Sequence, residues 1–135
     1  MRRVLLAMLA LAAACTDSAT LHYEPAQAQL TGRIEAETDY GPPGFGRTPD
    51  EDERLTAIVL ALDTPITIAA DPASDINTET FSGVRRIQLM RNDRNMDAAL
   101  AGRRVRVTGR FFTPTTGQWA APVAMRVERI EPLGD

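Results

Sequence analysis

The chain has no lysine and only one histidine, one cysteine and one tryptophan among its 135 residues. With His22 alone, a Ser–His or Cys–His nucleophile and a His-based zinc site both lack their parts. With Cys15 alone, no disulfide can form within the chain, so the fold has to stand on its hydrophobic core. All 15 cationic side chains are Arg, set against 18 acids. The resulting net charge of −3 lacks the basic footprint of a nucleic-acid binder. Long apolar runs are missing too. The longest, Val4–Ala14, has 11 residues, about half of the ~20 that cross a bilayer.

That run fits the apolar region of a signal peptide, behind a basic start of Arg2 and Arg3. It ends in Leu11-Ala12-Ala13-Ala14-Cys15, which is similar to the lipobox of bacterial lipoproteins with its Leu one position early. Cleavage before Cys15 would make that residue a lipidated N-terminus. The alternative is an ordinary secretory cut after the Ala12-Ala13-Ala14 triplet. A lone thiol at the one place lipidation would use it favours the anchor. Thr16 stands where an inner-membrane retention Asp would sit, which favours the outer membrane. The expected plan is a signal peptide over 1–14, a lipidated N-terminus and flexible tether over 15–28, and one domain over 29–132. Thr16–Gln27 is polar, holds Pro25 and shows no periodicity, as a tether would. Without the leader the charge is −5, from 13 Arg against 18 acids.

From Gln29 the pattern becomes that of half-buried strands. Leu30, Gly32, Ile34 and Ala36 alternate with Thr31, Arg33, Glu35 and Glu37. Asp39–Glu53 is a Gly- and Pro-rich loop closing on four acids, which cannot continue a strand. A second strand runs from Leu55 to Leu62, and Thr64–Ala69 continues it past Pro65 as a bend or an immediate partner. Asp71–Phe81 is a polar excursion. Val84–Met90 is a third strand, with Ile87 and Leu89 inward and Arg86 and Gln88 outward. A short helix is expected next, with Asn95 as N-cap, Met96 and Leu100 inward and Gly102 just past its end. In Leu100–Phe112 the apolar Val105, Val107 and Phe111 oppose Arg104, Arg106, Thr108 and Arg110, with Gly109 at a bulge or close backbone crossing. Thr113–Ala121 is turn-rich. Val123–Ile130 is the last strand, with Val123, Met125 and Val127 inward.

This all-β order with one short helix, β-β-β-α-β-β, is that of the OB-fold, a five-stranded Greek-key barrel. A β-sandwich would need more strands and has no place for the helix. The segments LDTPITI (62–68), VRRIQL (84–89), LAGRRVRVTGRFF (100–112) and TTGQWAAPVAMRVERI (115–130) resemble DUF4431, small bacterial domains of unknown function often found behind export signals. Two departures matter. Gln118-Trp119 stand where that family tends to carry a His pair, and Thr67 replaces a frequent Cys. Any metal or acid–base role of the His pair therefore does not carry over.

The resemblance assigns no chemistry, and the residues offer no catalytic, cofactor or metal constellation. Asp50–Glu53 lacks the spacing of a calcium loop and reads as a solvated acidic turn. The aromatics are more informative. In an OB barrel the loops between the first two and the last two strands flank the ligand face. Tyr40 and Phe45 fall in the first loop and Trp119 in the second, with Arg47 and Arg110 nearby. These five form the candidate binding set for an envelope protein, a peptide or a glycan. The alternative is that Phe45 and Trp119 plug the barrel end as core. The expected function is a non-enzymatic, envelope-anchored binding module, held to the membrane through Cys15 and facing the periplasm. Two others stay open: an inhibitor inserting the 39–53 loop into a foreign active site, and a hydrolase using carboxylates such as Asp63 and Asp71.

Overall fold

A computed structural model of the chain describes residues 20–91, 94–95, 98–114 and 120–134. Its strands are β1 (Thr20–His22), β2 (Ala28–Tyr40), β3 (Arg54–Ala69), β4 (Phe81–Arg91), β5 (Arg94–Asn95), β6 (Arg104–Phe112) and β7 (Ala124–Pro132). Five of them close a barrel. β2 pairs antiparallel with β3 and β6, β3 with β4, and β6 with β7, while β4 and β7 run parallel and complete the ring. Counting only these five, the circular order is first-second-third-fifth-fourth, the OB arrangement read from the sequence.

Period-2 patterning places the core. Ile34, Leu60, Ile87, Leu89, Val105, Val107, Phe111, Val123 and Met125 fill the interior, each with almost no exposed surface. The predicted inward and outward sets of β6 and β7 are the observed ones. At Gly109 the register between β6 and β7 shifts, and an added Cβ would run into the Arg126 carbonyl. The backbones therefore cross there too closely for any side chain. The segments before and after Pro65 are one bent strand, with register shifts against β4 flanking Ile66.

Three expectations change. The helix is a single 3₁₀ turn, Ala98–Leu100. Asn95 cannot cap it, because Asn95 pairs with Met90 in the β4–β5 hairpin, which uses the residues a longer helix would need. Met96 lies outside the described residues, Leu100 packs on the core as expected, and Gly102 takes the left-handed conformation at φ 83°. Second, Gln88 points out of the barrel yet is only 3% exposed. Its Oε1 accepts the Ala120 amide at 2.8 Å and its own N–H reaches the Val123 carbonyl, so the β6–β7 connection lies over it.

The third change concerns the expected tether. Residues 20–28 are built into the domain. β1 runs parallel to the end of β3, pairing Thr20 with Thr67 and His22 with Ala69. Tyr23 then enters the core at 3% exposure, forms a bridge with Phe111 and donates its hydroxyl to the Glu79 carbonyl at 2.7 Å. A polar stretch with one large aromatic has no period, but here that aromatic fills the space between β3 and β6.

Candidate functional site

Beyond Arg33, β2 leaves β6 and pairs only with β3, so residues 35–40 and 54–58 form a hairpin arm that carries the 41–53 loop. The loop is held from inside by one carboxylate. Asp52 Oδ1 accepts the Gly44 amide at 2.6 Å and the Thr48 hydroxyl at 2.7 Å. Its Oδ2 accepts the amides of Gly46 at 2.7 Å and Thr48 at 3.3 Å. Asp52 is 7% exposed, so one member of the expected solvated acidic turn is instead an internal clasp. Desolvation by itself would raise its carboxyl. The Thr48 hydroxyl and the amides of Gly46, Gly44 and Thr48 outweigh that and hold it below the ordinary value of 3.8. Gly44 is required by space, because a Cβ there would collide with Thr48 Oγ1 and approach Asp52 Oδ1 to 2.7 Å.

The clasp presents Phe45. This residue takes φ 50°, a left-handed conformation that costs a non-glycine residue about 1–3 kcal/mol. Its amide is held by the Gly41 carbonyl at 3.0 Å. The ring is 55% exposed, so Phe45 does not plug the barrel. Tyr40, half-buried at the end of β2, lies under Gly46, and Arg47 is exposed beside it. The hairpin thus brings together Tyr40, Phe45 and Arg47.

Arg110 does not join them. It lies on β6 beyond the Gly109 that pairs with Ala28, so about a dozen residues of β2, up to ~40 Å of strand, separate it from Tyr40. There it pairs with Glu128 at 2.9 Å, whose other oxygen accepts Gln27. Arg126 stacks over Phe112 at 4.0 Å and reaches Glu24. Trp119 and Cys15 lie outside the described residues. Of the two carboxylates weighed for hydrolysis, Asp63 is held by Arg104 at 2.5 Å, and Asp71 accepts the Ala73 amide of its own turn. Among the described residues no three His, Cys, Asp or Glu side chains converge as metal ligands.

Part of the ligand face usual for the fold is covered in this molecule. Val59, Gln88 and Ala124 lie side by side on the outer surface of β3, β4 and β7, and all three are buried. A concavity of about 420 Å³ lies between the 22–26 segment and Ala69–Pro72, with His22, Tyr23 and Asp71 in its wall. No sequence pattern announced it, because it exists only once the N-terminal segment folds onto β3.

Barrel order and hairpin arm define an OB-like domain whose β2–β3 loop carries the exposed Phe45. Residues 86–131 match DUF4431, a domain of unknown function. The match runs from Arg86 of β4 to Glu131 of β7, and so contains two of the four segments that carried the resemblance whole (100–112 and 115–130) and most of a third, VRRIQL. LDTPITI and the hairpin arm lie outside it. No curated protein matches the chain.

Proposed function

We propose that the chain is an envelope lipoprotein, anchored at Cys15 and facing the periplasm, whose barrel is a non-enzymatic binding module with the β2–β3 hairpin as its recognition element. The supporting observation is the Asp52 clasp, which spends four hydrogen bonds to hold a loop whose tip is a strained, exposed Phe45. A loop ordered before binding loses less entropy on docking, and an exposed rigid aromatic is a common anchor for a protein, peptide or glycan. The outer membrane is the favoured address, from Thr16. An inhibitor of an envelope-directed enzyme is the second reading, supported by the same clasped, protruding loop. The test is capture from envelope extracts by the full chain and by its Phe45→Ala variant. Capture by wild type that the variant loses supports the module, and a co-purifying enzyme inhibited through Phe45 selects the second reading. No Phe45-dependent capture, or turnover of an extract component, refutes the proposal.

A further inference from the structure

The hairpin arm has an open edge, and its backbone phase identifies which groups face it. On the β6 side, the Ile34 amide donates to the Arg103 carbonyl at 2.9 Å, and the Ile34 carbonyl accepts the Gly102 amide at 2.8 Å. Successive residues in an antiparallel strand turn their backbone groups to alternate edges. Ala36 and Thr38 therefore face the same side as Ile34, while Glu35, Glu37 and Asp39 face β3. The Gly41 amide, bonded to the Glu53 carbonyl, keeps that phase at the arm's end. Strand β6 stops pairing with β2 at Arg33, and no described backbone group meets the edge at Ala36 or Thr38. Two N–H and two C=O groups thus stand ready in register for an added strand.

Charge names the occupant. Residues 35–54 hold Glu35, Glu37, Asp39 and the Asp50–Glu53 run against only Arg47 and Arg54, a net −5 in a chain whose total is −3. Arg86, bound to both Glu35 and Glu37, offsets one of these charges and leaves the arm strongly acidic. A second copy does not fit. Pairing two β2 edges about Thr38 would set Glu37 of each copy opposite Asp39 of the other, and like charges directly opposite are destabilising. We propose that the edge at Ala36 and Thr38 binds a basic, extended polypeptide segment by strand addition. This rests on the hairpin being the recognition element, and it gives that element a partner class.

The probe is a decapeptide alternating Arg and Val, with a Glu–Val decapeptide as control, added to the ¹⁵N-labelled full chain in zwitterionic detergent. The Arg–Val peptide should slow hydrogen exchange at the Ala36 and Thr38 amides, and its affinity should fall as salt rises. Thr38→Pro removes an edge N–H without taking a bond from β3, so it should weaken binding about tenfold or more, the loss expected for one edge hydrogen bond. Thr38→Ala should bind as wild type does. The exchange measurement on wild type stands even if the Pro variant fails to fold. Failure to bind, equal binding of the Glu–Val peptide, or binding that leaves both amides exchanging as in the free protein overturns the proposal. Phe45-dependent capture that Thr38→Pro leaves intact overturns strand addition while the binding module stands. Absence of both Phe45-dependent capture and peptide binding in the wild type overturns both proposals.

Discussion

Tyr23 offers the sharpest test of how the domain is built, because the 20–28 segment is either part of the barrel or a leash. Its ring is 3% exposed within the core, its backbone bridges Phe111, the next amide, Glu24, donates to the Phe111 carbonyl at 2.9 Å, and its hydroxyl serves the Glu79 carbonyl. Tyr23→Phe keeps the ring and removes one hydrogen bond, leaving the Glu79 carbonyl without its donor, at a cost of about 1–2 kcal/mol. Tyr23→Ala empties a buried aromatic site and should cost about 3–5 kcal/mol. With a urea slope near 1.5 kcal/mol/M for a domain of this size, the midpoint should fall by roughly 2–3 M for Ala and about 1 M for Phe. Equilibrium urea unfolding followed by far-UV circular dichroism reads both. An Ala midpoint within ~0.5 M of wild type would show that the segment contributes nothing to the core, and the packing described for β1 and Tyr23 would be wrong.

Val107→Asp should abolish folding by burying an unpaired charge in the barrel, whereas Arg106→Asp should cost about 1 kcal/mol or less, its long 3.8 Å pair with Glu131 being solvent-exposed. Similar melting temperatures for the two would refute the β6 register. For the Asp52 clasp, a carboxyl held below its ordinary value stabilises the loop above pH 3.8 and loses that contribution as pH falls through the lower folded value. The Gly44 and Gly46 amides should therefore deprotect on acidification below about that pH, and Asp52→Asn should deprotect them already at pH 7. Unchanged protection in the variant would show that other contacts hold the loop. Fatty-acid labelling of cells should mark the wild type and spare Cys15→Ala. Equal labelling of the two, or none in either, would refute the anchor.

Strand positions and core faces were legible in the sequence because they depend on local alternation. Val105, Val107 and Phe111 announce an inward face wherever the strand is placed, and Gly109 announces a crossing because no side chain could replace it. The OB order followed from counting those strands. The five-residue candidate set read from the sequence holds together only in part. Tyr40, Phe45 and Arg47 are neighbours on one hairpin and stayed together, but Arg110 was joined to them by loop topology, and the β2–β6 register carries it to the other end of the strand.

The features that escaped the sequence all depend on which distant backbone lies opposite. Asp52 looks like one of four equivalent acids in a run, and only the folded loop, which brings the amides of Gly44, Gly46 and Thr48 to the same carboxylate, makes it a clasp. Gln88 has the polarity of a surface residue and is buried because the Ala120–Val123 segment lies over it. Tyr23 sits in a stretch without period, since a three-residue strand is too short to show one, and its place in the core is set by β3 and Phe111. Asn95 has the chemistry of a helix cap, yet pairing with Met90 outweighs the weak local preference for a cap. Local pattern determined what each segment could be, and long-range pairing decided which groups it would face.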